Sequence, residues 1–99
     1  MKITKNMVIR PSGEARELAL FAENDSQIYR QSIKPTIDNL RRKVARGTYD
    51  AQKAIIAFYY VADAASRKYN KDFGYSFTVT ERCTAAADLL DFFEDEIFA

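Results

Sequence analysis

A chain of 99 residues, 47% hydrophobic and 29% charged, can bury one modest core and is too short for a second, so a single domain over residues 1–99 is the expectation. The same balance excludes a wholly disordered chain, which would lack the apolar area to offset its conformational entropy. A net charge of +1 gives no global attraction to nucleic acid or to an anionic membrane, and the absence of histidine, with one cysteine in all, argues against Ser/His/Asp and Cys/His catalysis, zinc sites and an internal disulfide.

Residues 1–13, MKITKNMVIRPSG, carry apolar residues without helical repeat and end in a Pro11-Ser12-Gly13 turn signal, so at most a short extended piece is expected there. Met1 to Arg10 lack the apolar core of a signal peptide. No run approaches the roughly 18 to 20 apolar residues needed to span a bilayer. The expectation is a cytoplasmic protein with no membrane partner. Residues 14–22, EARELALFA, alternate as a strand would at Leu18, Leu20 and Ala22 but consist of strong helix formers, and a helix is the preferred reading.

Asn24, Asp25 and Ser26 form a capping cluster from which a helix begins. It meets Pro35, which lacks an amide and displaces the carbonyl four residues back, so the helix kinks or restarts there. Ile33, Ile37, Leu40 and Val44 keep one stripe across the proline, and Gly47 ends the segment with Arg46 in its last turn. The short link to residue 50 predicts that this helix and the next pack as an antiparallel hairpin, with Thr48 or Asp50 as the cap.

Residues 50–73, DAQKAIIAFYYVADAASRKYNKDF, are the centre of the chain. Ala51, Ala54, Ile55, Phe58, Val61, Ala62, Ala65, Tyr69 and Phe73 fall on one helical stripe and are expected in the core. Ile56, Tyr59 and Tyr60 lie round the other side. A helix apolar on two sides either runs through the middle of a bundle or meets another molecule. Tyr75 to Val79 alternate and read as a short strand or a connecting loop. Thr80 with Glu81 is expected to open the final helix, whose stripe Cys83, Ala86, Leu90, Phe93 and Ile97 places Cys83 as a buried thiol. Phe92 points away from that stripe and Phe98 lies off its edge, so both are covered by the N-terminal segment or offered to a partner. The fold class is therefore mostly all-α, a small bundle of three to four helices built on an antiparallel hairpin.

Charge is segregated. Residues 26–71 hold ten basic residues against three acids, whereas Cys83 to Ala99 hold five acids and no base. Arg42, Lys43 and Arg46 cluster opposite the apolar stripe, and with Tyr49 and Lys53 they form a candidate anion or nucleic-acid surface. A solvated helix face, or an ionic match to the acidic last helix of the same or a neighbouring chain, is the preferred reading of them, since exposed charges of this kind are common and contribute little energy. Asp88, Asp91 and Asp95 share an outward stripe and lack the enclosed, unequal environments of an acid/base pair or the glycine turn of a calcium loop. The three glycines are isolated, so there is no phosphate loop. No catalytic residue, metal ligand or cofactor site is expected.

Residues 23–74 carry a recognisable order: Asn24, Asp25, Tyr29, Arg30, Pro35, Asn39, Leu40, Arg42, Lys43, Gly47, Tyr49, Asp50, Lys53, Ala54, Lys68, Tyr69, Phe73 and Gly74. This order resembles a family of small uncharacterised proteins encoded by tailed bacteriophages and prophages. The resemblance covers about half the chain and implies a setting, the cytoplasm of a bacterial host, but no reaction. The expected function is a non-enzymatic accessory role through protein–protein contact, with a host or phage protein or as a homo-oligomer, and the candidate apolar contacts are Ile56, Tyr59, Tyr60, Phe92 and Phe98. The alternative is a nucleic-acid accessory protein that uses the basic face of residues 41–53.

Overall fold

The structure, a computed structural model, describes residues 13–99. The extended piece expected in residues 1–12 lies outside the described residues. Helix α1 runs Gly13–Asn24, α2 is the single turn Ser26–Ile28, a π-helical turn covers Tyr29–Ile33, and α3, α4 and α5 span Lys34–Arg46, Ala51–Phe73 and Val79–Phe98. No strand occurs among the described residues. The helical reading of residues 14–22 holds: Ala15, Leu18, Ala19 and Ala22 are buried at helical spacing, and the alternation that suggested a strand leaves Leu20 exposed.

Proline 35 is accommodated by a change of helix type. The Lys34 amide donates to the Tyr29 carbonyl five residues back, a wider turn that relieves the clash a proline ring makes with the carbonyl four residues before it. The Thr36 hydroxyl donates to the Ser32 carbonyl at 2.7 Å. The helix thus restarts at once and keeps Ile33, Ile37 and Leu40 buried on one side. Gly47 closes α3 at φ 72° and Gly74 closes α4 at φ 73°, the left-handed conformation for which a residue without Cβ is favoured. Asp50 caps α4 by accepting from the Gln52 and Lys53 amides.

The antiparallel hairpin at the centre is made by α4 and α5, which share the largest contact; α1 lies across both. The expected pairing of residues 26–46 with α4 is found in its first half, where α2 and the π-helical turn pack on α4, and is corrected in its second, where α3 touches α4 lightly and packs mainly on α5. A short link fixes where two helices meet and leaves their crossing angle to packing. The start of α5 is also corrected, by two residues. Thr78 is the cap, its hydroxyl accepting from the Glu81 amide while the Glu81 carboxylate accepts from the Thr78 amide, a complete capping box. Residues 74–78 form a connection without strand, and Phe77 within it is buried.

On α4 the buried set is Ala54, Phe58, Val61, Ala62, Ala65 and Ser66. Ala51, Ile55 and Phe73, expected in the core, are exposed. A 23-residue helix is about 35 Å long and a 12-residue neighbour such as α1 about 18 Å, so α4 overhangs its covering. On α5 the buried arc is Ala85, Ala86, Leu89, Leu90, Phe93 and Ile97. Cys83 is exposed, against expectation, because it lies about 120° from Leu89 at the edge of that arc.

Candidate partner surfaces

The described residues extend 39 × 30 × 18 Å, and 18 Å is less than two full helix diameters of about 10–12 Å each. A bundle this thin cannot wrap its central helix. Ile56 and Tyr60 on the outward side of α4 remain 55% and 66% exposed. Tyr59 separates from them: Arg82 of α5 lies over its ring, 6.0 Å from the centroid, with Nε donating to the hydroxyl at 3.4 Å. Arg82 also donates to the Phe77 carbonyl and sits 3.7 Å from Asp63. The guanidinium thereby joins α4, the 74–78 connection and α5, and Tyr59 becomes part of that joint.

Phe92 and Phe98 are exposed on α5. Phe92 meets Phe93 edge-on at 4.9 Å, and Phe98 meets Tyr49 edge-on at 4.9 Å. No ring contact joins either of them to Tyr59 or Tyr60 among the described residues. The five apolar candidates therefore divide into an α4 pair, a tyrosine held by Arg82, and two phenylalanines about 120° apart round α5.

Among the described residues Arg42, Lys43, Arg46 and Lys53 make no ion pair. Arg42, Arg46 and Lys53 are exposed and Lys43 half-buried, at the end of α3 and the start of α4. Tyr49 packs under Phe98, and burial first, then the nearby Glu94 and Asp50 carboxylates, hold its hydroxyl above the ordinary tyrosine value. No ion pair joins α3 to the acidic helix among the described residues; the two meet where Arg41 Nη1 donates to the Glu96 backbone carbonyl at 2.9 Å. That places a cation at the carbonyl end of α5, where the helix dipole favours it.

The acids of α5 do not converge on a site. Asp88 is half-buried at the seam with α1; burial raises its pKa, Arg16 opposes the rise, and Asp91 adds to it. Glu23 across the seam is raised by burial in the same way, with Arg16 again opposing and Asp88 adding. No group of three or more Cys, Asp or Glu side chains is placed to hold a metal ion among the described residues. None of their helices is long and apolar enough to cross a membrane.

Two features escaped the sequence reading. Lys68 Nζ of α4 donates to both Asp25 carboxylate oxygens, at 2.9 and 2.8 Å, and to Gln27 Oε1 at 2.9 Å, a clamp between residues 43 positions apart. Phe21, Tyr69, Phe73, Phe77 and Tyr75 form a chain of ring contacts at 4.7 to 6.4 Å. The four-residue spacing of Tyr69, Phe73 and Phe77 was the available signal, but Tyr69 and Phe73 were assigned to a closed core. Comparison with protein-family models, curated proteins and solved structures finds no match to the chain.

Proposed function

We propose that this protein is a non-enzymatic accessory protein of the tailed-phage type, acting in the bacterial cytoplasm by protein–protein contact through the outward side of α4. The observation that carries the reading is the exposure of Ile56 and Tyr60 in mid-helix on a bundle too thin to cover them. Self-association is the first form to test, and a host or phage protein the second. Replacing Ile56 and Tyr60 together by Glu should leave the fold intact, since neither side chain is in the core. It should weaken association by about 2 kcal/mol, roughly thirtyfold. Sedimentation across micromolar concentrations, with a pull-down comparing both forms, reads this out. A strict monomer that retains no protein dependent on Ile56 and Tyr60 ends the proposal.

A second reading is favoured by one observation, the four basic side chains Arg42, Lys43, Arg46 and Lys53 left without acidic partners among the described residues. It makes the protein a nucleic-acid accessory factor. Four phosphate contacts predict an affinity that falls about a hundredfold between 50 and 200 mM salt, through counterion release. Unchanged mobility of DNA and RNA at low salt disposes of it.

A further inference from the structure

We infer that the groove between the start of α4 and the C-terminal half of α5 is the docking surface for the basic end of α3 in a second copy of this chain, the two copies meeting across a two-fold axis. The groove, a hollow of about 340 Å³, is lined by Ile55 of α4 and by Ala87, Asp88, Leu90, Asp91 and Glu94 of α5. Its floor is apolar and its rim is acidic. Asp88 has Arg16 of α1 nearby, whereas Asp91 and Glu94 are exposed and make no ion pair among the described residues. This surface is separate from the one formed by Ile56 and Tyr60, because Ile55 lies about 100° round α4 from Ile56.

Three observations select this occupant. The chain carries the complement of its own groove: Arg42 and Arg46 are exposed at the end of α3 and make no ion pair among the described residues. The two charged regions also adjoin without pairing. Tyr49, just past the end of α3, meets Phe98 edge-on at 4.9 Å, Arg41 reaches the Glu96 carbonyl, and the Glu94 carboxylate on the groove rim lies near the Tyr49 hydroxyl. The surface thus runs from cations, past the 51% exposed Phe98, to carboxylates. A two-fold rotation lays each charged end on its opposite, makes every contact twice and brings apolar surface to the middle. Finally, the last turn of α5 holds acids and no base, against the direction its dipole favours, and arginines from a second copy offset that cost. A phosphate backbone suits the same strip less well, because the acidic groove beside the cations repels it.

The test is sedimentation of the full chain at low salt, comparing wild type with two double variants, Arg42→Glu with Arg46→Glu and Asp91→Lys with Glu94→Lys, each alone and the two mixed. All four side chains are exposed, so both variants should keep the wild-type circular dichroism. The wild-type chain should dimerise, less tightly as salt rises. Each variant alone should dimerise at least about tenfold more weakly, because like charges then face each other. Their equimolar mixture should regain the wild-type affinity, since reversal on both sides re-creates the pairs. A wild-type chain that stays monomeric, variants that dimerise as wild type does, or a mixture that regains nothing overturns the inference. A monomeric wild type whose binding to DNA or RNA is lost in Arg42→Glu with Arg46→Glu overturns it too, by assigning the cations to phosphate. A dimer that ignores charge reversal but is abolished by replacing Ile56 and Tyr60 overturns it while leaving the proposed role of those two residues intact.

Discussion

Replacing Phe58 by Ala should cost about 3–5 kcal/mol, the range for deleting a large buried aromatic side chain whose surroundings collapse only in part. Phe58 is fully buried and lies parallel to Phe93 of α5 with ring centroids 6.2 Å apart. Its side chain fills the middle of the α4–α5 hairpin, which carries the largest helix contact. A domain of this size has about 5–15 kcal/mol of total stability, so the substitution takes roughly a fifth or more of it. In urea the midpoint should fall sharply with little change in slope, because the native surface is nearly unaltered. Ile56→Ala, one half-turn away on the exposed side, should move stability by no more than about 0.5 kcal/mol. Similar losses at the two positions would mean that α4 is not buried on the Phe58 side and would remove the basis for treating Ile56 as a surface residue.

The contrast between Phe58 and Ile56 was legible in the sequence, because residue spacing fixes the phase of a helix. Spacing says nothing of how far neighbouring helices reach, and so Ala51, Ile55 and Phe73 shared the core phase and came out exposed, Ile55 and Phe73 at positions that α5 and α1 flank without covering. Cys83 failed for a related reason, lying just beyond the Leu90 edge of the buried arc of α5. Helix ends were legible where one residue decides them, as at Gly47, Gly74, Asp25 and Asp50. Thr78 was missed because the alternation of Tyr75 to Val79 competed with the T-x-x-E spacing of its capping box. Contacts between distant residues left no local trace, and neither the Lys68–Asp25 clamp nor the turn of Tyr59 toward Arg82 could be read from periodicity.

The same distinction bears on the candidate surfaces. Of the residues on which the proposed phage-type reading draws, Asp25, Gly47, Asp50 and Gly74 end or begin helices, and Lys68 ties α4 to the start of α2. Those are duties of the fold and identify no partner. Ile56 and Tyr60 have no such duty, and their exposure is a cost to the isolated chain that a partner would relieve. The proposed role therefore rests on residues that the fold does not need.

Asp25 is the place where cap and clamp coincide, and Asp25→Ala should cost about 2–3 kcal/mol. Its carboxylate accepts from the Ile28 amide at 2.9 Å and from Lys68 Nζ at 2.8 and 2.9 Å. The two side chains are 16% and 30% exposed, sheltered enough for the pair to contribute more than a fully exposed one. Loss of a cap alone costs about 1 kcal/mol. Asn caps as well as Asp does, so Asp25→Asn should remove only the charge pairing and cost about 1 kcal/mol. Hydrogen bonding to Lys68 first, and to the Ile28 amide second, holds the Asp25 pKa below its ordinary value of 3.8. A carboxyl group whose folded pKa is depressed contributes stability that is complete above the unfolded pKa and is lost as pH falls through the folded one. Glu23 and Asp88, both raised chiefly by burial, act with the opposite sign, because their penalty is relieved as they take up protons. The total pH profile therefore mixes the two, and the difference between wild type and Asp25→Asn isolates the clamp. That difference should be constant from neutral pH down to about 5 and shrink below about 4. A gap of equal size at pH 7 and pH 3, measured by urea unfolding, would show that the carboxylate charge at Asp25 contributes nothing and that the contact with Lys68 is incidental.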